Sequence, residues 1–363
     1  MNLYNNELYM NDVFRVANDK NLSFENLKNS KILITGATGL ICSFLIDVLI
    51  YRNEKFNDNI SIYMLCRNKE RLINRFRNNT IEECSLSTNN GNLFYILQDV
   101  CMPINLNINF DYIIHGASNT HPKLYSTNPV GTITTNVIGL YNLLNYSVSH
   151  KVRRIFMMSS VEIYGENKGD TETFQEDYLG YINCNTLRAG YPESKRLCES
   201  LCQAYISQYN QDIVIGRLSR VYGPTLLKED TKALSQFIRN AVNNEDIVLK
   251  SEGNQFYSYI YVVDAVSAIF KILFDGKKGE AYNIGDENSN IKLKDLATIL
   301  ANLNDKKVVF ELPDELEKRG YSTATKAILN TNKIKKLGWK PYYNIEEGLK
   351  NTISIIKSIN WCK

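Results

Sequence analysis

A glycine-bearing turn, Thr35-Gly36-Ala37-Thr38-Gly39-Leu40-Ile41, joins a short apolar run, Lys31–Thr35, to an apolar-faced stretch, Leu40–Tyr51. Few sequence features limit a fold as sharply. Gly36 permits a tight turn out of a buried strand. Gly39 lets the backbone come close to whatever sits at the following helix N-terminus, where unpaired N–H groups and the helix dipole favour a phosphate. A glycine spacing alone is common. Here it follows a strand, opens a helix and heads an alternating pattern, which is the context a dinucleotide turn requires.

The alternation continues. Ile60–Cys66, Leu93–Leu97, Tyr112–Ala117, Arg154–Ser159 and Ile213–Leu218 read as strands, and Thr132–Val148 and Ala189–Asn210 as helices. This rhythm implies an α/β fold, a doubly wound parallel sheet covered on both faces. After Tyr222-Gly223-Pro224 the rhythm loosens into a helix at Ala233–Asn243 and a short strand at Ile247–Leu249. Tyr259–Val263 then leads into a helix over Asp264–Phe274, and another helix lies around Leu293–Leu303. The expected division is an N-terminal helical extension (1–30), a dinucleotide-binding domain (31–223, with 256–277 returning to it) and a smaller C-terminal substrate domain (224–255 and 278–363). That smaller domain should cap the carboxyl ends of the strands, where ligands bind in such sheets. In the extension, Tyr9, Val13, Phe14 and Val16 suggest a short amphipathic helix, packed on the protein's own surface or reaching a partner subunit.

Composition excludes several classes. An apolar content of 44% over 363 residues supports a large core. A net charge of +3 with no long Lys/Arg block argues against nucleic acid. The eight cysteines are scattered without a Cys-x-x-Cys, so free thiols in a reducing compartment are expected and no metal set is assigned. The first residues lack a basic and an apolar region of the signal-peptide kind, and no apolar run reaches membrane-spanning length. The expectation is a cytoplasmic protein with no membrane partner.

The chemistry is carried by two further segments. Tyr191-Pro-Glu-Ser-Lys195 places a phenol and an ammonium four residues apart, on one helix face. Ser159-Ser160-Val161-Glu162-Ile163-Tyr164-Gly165 closes the run that begins at Arg154. A nearby ammonium can lower a phenol from its solution pKa of about 10 by about 1–3 units. Tyr191 is therefore expected to take the proton from a sugar hydroxyl while hydride leaves the same carbon. Lys195 should hold the nicotinamide ribose, and Ser160 should donate to the carbonyl oxygen as it forms. Glu162 could remove a C5 proton, handle a C6 substituent, or only hydrogen-bond a sugar hydroxyl.

Around the dinucleotide, Gly36, Thr38, Gly39, Leu40 and Ile41 form the expected pyrophosphate cradle. Asp99, followed by Val100, is placed to accept from the adenine amino group or to cap a turn. Leu65-Cys66-Arg67-Asn68 follows the second strand without the acid that usually binds the ribose hydroxyls. Arg67 pairs there with a 2′-phosphate or is a surface arginine, so the cofactor expectation is NAD(P)+ with a lean to NADP.

These segments resemble the extended short-chain dehydrogenase/reductase family, in its nucleotide-sugar epimerase/dehydratase branch. The likeness spans residues 31 to about 345. It also rests on His115-Gly116-Ala117-Ser118, Asn136-Val137-Ile138-Gly139, Val221-Tyr222-Gly223-Pro224, Tyr282-Asn283-Ile284-Gly285 and Leu337-Gly338-Trp339. Within the branch, Glu176-Asp177-Tyr178, Arg188-Ala189-Gly190-Tyr191 and Ser194-Lys195-Arg196 look most like UDP-glucuronate decarboxylase-like enzymes. The resemblance implies a Rossmann-type domain, tightly bound NAD(P)+, a nucleotide-sugar substrate oxidised at C4, and a homodimer formed through the helices at 132–148 and 189–210. It implies cofactor contacts at Ala117 and Ser118 and substrate contacts at Asn136, Arg188 and Gln255.

Several positions depart from that pattern. Cys42 replaces the third glycine of the turn, where it must fit between helix and strand or crowd the cofactor. Val161 replaces the acid that dehydratases use to protonate a leaving hydroxyl, which favours decarboxylation. Arg220-Val221 replaces an asparagine segment, Tyr257 replaces an arginine, and Lys326 stands for another arginine. Arg220 and Lys326 are expected to supply positive charge for the substrate diphosphate, and Tyr257 joins them as a substrate contact. The leading expectation is a decarboxylase of a UDP-glucuronate type of substrate. A 4,6-dehydratase, a 4-epimerase, an NADPH-dependent sugar reductase and a non-catalytic dinucleotide-binding protein are the alternatives.

Overall fold

The computed structural model describes residues 3–84, 92–311 and 324–359. Its centre is β1 (Lys31–Thr35), buried from Ile32 onward. A five-residue apolar strand with no polar face can be satisfied only inside a sheet covered on both sides. β1 pairs in parallel with β2 (Ser61–Cys66) on one flank. Outside β2 lie β3 (Glu82–Glu83) and β4 (Leu93–Leu97), the sheet order there running β2-β4-β3. On the other flank follow β5 (Tyr112–His115), β6 (Arg154–Ser160), β7 (Ile213–Leu218) and an edge strand, Ala281–Ile284. All pairings in this eight-stranded sheet are parallel. The order reverses beside β1, so the carboxyl ends of β1 and β5 flank the switch point at which such sheets bind ligands.

Helices cover both faces. α1 (Glu7–Ala17) precedes the sheet, and α2 (Leu40–Phe56) starts at Gly39 and ends at Asn57, which adopts the left-handed conformation. α3 (Lys69–Arg75) and α4 (Pro122–Thr127) are short, whereas α5 (Pro129–Ser149) and α6 (Gly190–Tyr209) are long and pack side by side. A second, smaller lobe contains a helix over Ala233–Asn243. It also holds a small sheet in which Phe256–Tyr261 pairs with Arg220–Tyr222, Asn290–Lys292 and Lys326–Ala327.

Three details differ from the sequence expectation. Ala281–Ile284 belongs to the main sheet although residues 278–363 were assigned to the substrate domain, because it pairs with β7. Within the returning segment 256–277, Phe256–Tyr261 sits in the small sheet, and only the helix Val262–Asp275 packs on α2 and the main sheet. α3, α4 and a helix at Ile345–Ser358 were not foreseen. The last carries a capping box, the Asn344 side chain accepting from Glu347 N and the Glu347 side chain from Asn344 N. In the extension, Tyr9, Val13 and Val16 point into the protein and Phe14 lies largely outside, so α1 packs on its own chain.

Candidate active site

A cleft of about 660 Å³ follows the carboxyl ends of the parallel strands and is closed on the far side by the smaller lobe. The turn residues Gly36, Thr38, Gly39, Leu40 and Ile41 border it, as do Arg67, Asp99, Val100, Ala117 and Ser118. Ser160, Glu162, Arg188, Tyr191, Lys195, Arg220, Gln255 and Tyr257 line the rest. Two nominated substrate contacts are not among the lining residues. Asn136 is buried between Ser118 and Ser194: it accepts from the Ser118 hydroxyl at 2.7 Å and donates to Ser194 Oγ at 2.8 Å. Ser194 in turn donates to the Tyr191 carbonyl at 2.7 Å, so Asn136 fixes the loop after β5 against the start of α6. Lys326 Nζ is 2.6 Å from Glu172 Oε2, in an ion pair beside the smaller sheet.

The residues present fit a dinucleotide. Gly36 has φ 71°, and a Cβ there would lie 2.7 Å from the Gly116 carbonyl oxygen, so only glycine can make this turn. α2 then presents its first, unpaired N–H groups to the cleft. Cys42 fits rather than crowds. Its thiol lies 3.5 Å from the Thr35 carbonyl oxygen, and a Cβ on Gly116 would come within 2.5 Å of its sulfur. The sulfur therefore takes up space that Gly116 leaves free. Burial pushes this thiol up to about 12, which leaves it protonated and unreactive. Below the turn, Thr35 Oγ1 sits 2.8 Å from His115 Nδ1 and accepts from Ala117 N at 3.1 Å. Burial, followed by the charge of Lys195, lowers His115 to about 3, so this ring is neutral and serves the loop. At the far end, Arg67 Nη1 lies 3.6 Å from Asp99 Oδ2, and Asp99 Oδ1 accepts from Cys101 N at 2.9 Å.

β6 and α6 bring the reactive groups together. Ser160 ends β6, Glu162 lies in the one-turn helix that follows, and Tyr191 and Lys195 occupy the first turns of α6. The Ser160 hydroxyl accepts from Glu162 N at 3.2 Å and acts to lower the pKa of Tyr191. The expected lowering of the phenol by Lys195 is not what the geometry gives. Burial and then the negative charge of Glu162 push Tyr191 up to about 12, against the opposing effects of Ser160 and Arg188. The Lys195 ammonium donates to the Met158 carbonyl at 2.9 Å, and burial lowers its pKa.

Sequence reasoning missed Tyr125. This residue of α4 stacks on Tyr191 with ring centroids 4.9 Å apart and planes at 26°. The Arg188 guanidinium covers the Tyr125 ring at 4.7 Å. A tyrosine in a six-residue helix leaves no periodic trace that could have singled it out. Arg188 Nη2 donates to Glu162 Oε2 at 2.5 Å, while its Nε and Nη1 are buried without a hydrogen-bond partner among the described residues. Arg220 lies over the Tyr257 ring, 3.3 Å from its centroid, and its Nη1 is likewise buried with no hydrogen-bond partner among the described residues. The Tyr257 hydroxyl donates to the Ala324 carbonyl at 2.6 Å, and Gln255 Oε1 lies 3.4 Å from Ser251 Oγ. A second missed cluster borders the cleft, where Asp230 sits 3.3 Å from His121 Nδ1 and 3.0 Å from Lys232 Nζ. Burial alone would raise Asp230, but Lys232 and His121 outweigh it and hold the carboxyl well below the usual range. The arrangement suits removal of a hydride and a proton from one alcohol carbon, with spare cationic donors for an anionic substrate.

Comparison with known proteins agrees with this geometry. Residues 32–285 match the model of the NAD dependent epimerase/dehydratase family. UDP-glucuronic acid decarboxylase 6 of Arabidopsis thaliana is 31% identical over 325 residues, covering 88% of this chain and 87% of that protein. UDP-glucuronic acid decarboxylase 1 of Xenopus tropicalis is 27% identical over 326 residues, covering 89% and 71%. The fold is shared with UDP-glucose 4-epimerase of Thermotoga maritima (TM-score 0.75, 21% identity, covering 91% of this chain and 99% of that one). It is shared equally with UDP-glucuronic acid 4-epimerase of Bacillus cereus (TM-score 0.74, 21% identity, 91% and 99%). A family model that matches most of the chain, over the same turn and the same serine, tyrosine and lysine, places this protein in the NAD dependent epimerase/dehydratase family of nucleotide-sugar-modifying enzymes.

Proposed function

We propose that this enzyme removes carbon dioxide from a nucleotide-linked glucuronate by way of a C4 ketone, with bound NAD(P)+. The observation that carries this reading is the pair of guanidiniums, Arg188 and Arg220, each with buried N–H groups that have no partner among the described residues. Leaving such a donor unsatisfied costs about 1–3 kcal/mol, a cost that an anionic ligand removes. One carboxylate, Glu162, already pairs with Arg188. The remaining donors suit the extra negative charge of a sugar acid. The names of the curated relatives support the same substrate.

The dinucleotide supplies a hydride acceptor when bound. Tyr191 removes the C4 hydroxyl proton, and Ser160, which lines the same cleft, steadies the ketone oxygen as it forms. The ketone is then β to the C6 carboxylate. The C5–C6 bond breaks, its electrons pass into the enolate, carbon dioxide leaves and C5 takes up a proton; return of the hydride to C4, with the proton given back to O4 by Tyr191, restores the alcohol and closes the cycle. This sequence has no leaving hydroxyl to protonate, in keeping with Val161 at the position where an acid would serve dehydration. Arg188 holds the carboxylate before it leaves, and Glu162 orients Arg188 and the sugar hydroxyls. Incubation of the purified enzyme with UDP-glucuronate and mass analysis of the nucleotide product tests the reading. Loss of carbon dioxide is expected; loss of water, or an isomer of unchanged mass, would overturn it.

Two finer features belong to the same proposal. Arg67 remains 62% exposed despite its contact with Asp99 and can turn to a 2′-phosphate. An Arg67→Ala variant that loses affinity for NADP but not for NAD supports the preference for NADP, and an equal loss or none speaks against it. The enzyme acts as a cytoplasmic homodimer. Val130, Ile133, Ile138 and Tyr141 on α5 and Leu197 on α6 leave large apolar side chains on the outer face of one helix pair, and a second copy would cover them.

A further inference from the structure

The family match begins at residue 32, so it leaves the amino-terminal segment unexplained. That segment is nevertheless built into the back of the dinucleotide groove. Asp47 lies in α2, about two turns beyond the glycine turn, and is 1% exposed. A carboxylate so deeply buried requires a cation and further donors. Arg75, the last residue of α3, provides the cation: its Nη2 pairs with Asp47 Oδ2 and reaches Tyr9 Oη at 3.1 Å and the Ser43 carbonyl at 3.3 Å. The other donors come from the amino-terminal segment. The Tyr4 hydroxyl donates to Asp47 Oδ1 at 2.5 Å and the Tyr9 hydroxyl to Oδ2, while Asn79 Nδ2 donates to Tyr4 Oη at 3.3 Å. Two phenols thus knot α2 to α3.

Both helices carry the adenosine half of the cleft. α2 opens at Gly39, Leu40 and Ile41, and α3 is preceded by Arg67 and Asn68 and contributes Arg71. α3 has seven residues and buries only Leu72, so its own packing holds it weakly. The extension is tied elsewhere as well, beginning one helical turn after Tyr9. Asp12 accepts from Tyr261 at 2.6 Å and from Tyr343 at 2.5 Å, and Asp19 accepts from Tyr342.

We propose that Tyr4 and Tyr9 are positioning residues for dinucleotide binding: through Asp47 and Arg75 the amino-terminal segment holds α3 against α2 and sets the width of the adenosine half of the groove. This inference rests on the reading of the cleft as a dinucleotide site. The test uses the full chain and compares wild type, the double variant Tyr4→Phe/Tyr9→Phe, and Tyr343→Phe, which loses a hydrogen bond from the extension at Asp12 without touching the Asp47–Arg75 pair. Affinities for NAD+, ADP-ribose and UDP are measured by calorimetry, and unfolding is followed in parallel. The double variant is expected to bind NAD+ and ADP-ribose about tenfold more weakly with UDP binding unchanged. Tyr343→Phe should lose stability and keep its NAD+ affinity. Unchanged NAD+ affinity in the double variant, or an equal loss for UDP, overturns the inference and leaves the extension a structural brace. A wild-type chain that binds no dinucleotide overturns the reading of the cleft together with the inference. Should the double variant not fold, Tyr4→Phe alone carries the same comparison.

Discussion

The phenol of Tyr191 has to lose its proton to act as a base, and its surroundings resist this. Burial and Glu162 push it up to about 12. Activity limited by this group therefore rises with pH, since the reactive form is the deprotonated one. Glu162→Gln removes the negative charge and should move the rising limb of the kcat/KM profile to lower pH even if the plateau falls. A limb at the wild-type pH would show that Glu162 does not act on the phenol. The stack of Tyr125 between Tyr191 and Arg188 gives the phenol a fixed ring orientation and couples it to the cation proposed to hold the substrate carboxylate. The residue types at Ser160, Glu162, Tyr191 and Lys195 were legible in the sequence because their chemistry is tied to fixed short spacings. The direction of the Tyr191 shift was not, because desolvation is a property of packing and outweighs a lysine whose ammonium turns to the Met158 carbonyl.

Among the elements, the β1–turn–α2 unit was readable with little error, because a buried strand, a glycine that must adopt positive φ and a periodic helix each leave their own mark. α3 and α4 left none, being too short for a helical period to emerge. The accommodation of Cys42 was equally hidden, since its complement lies 74 residues away, at Gly116. That pairing gives a prediction at this scale. Gly116→Ala would set a methyl group against the Cys42 sulfur at 2.5 Å and the Met158 sulfur at 2.9 Å. Overpacking of this kind costs about 1–3 kcal/mol. In a Cys42→Ala background most of that cost should vanish. Denaturant unfolding of the four proteins of the cycle measures it, and purely additive effects would contradict the packing account.

In the whole molecule, the parallel sheet places the turn, the serine and the tyrosine along one edge, while the smaller lobe supplies Arg220, Gln255 and Tyr257 from across the cleft. The change in rhythm after Tyr222 is the sequence signal for the expected division. The crossings of the chain between lobes were not legible, because strand partners such as β7 and Ala281–Ile284 are set by long-range pairing. Association is predicted at this scale as well. Leu197, 51% exposed on α6, should lie in the dimer interface, and Leu197→Asp should give a monomer by light scattering at a concentration where wild type is a dimer. A wild-type monomer under those conditions would contradict it. The central claim is that Tyr191 removes a proton while hydride passes to the cofactor, and its most direct test is rapid mixing of the cofactor-loaded enzyme with UDP-glucuronate while the absorbance of reduced nicotinamide is followed. The account predicts a transient in wild type and none in Tyr191→Phe that still binds both ligands; a transient of wild-type rate in that variant would contradict it.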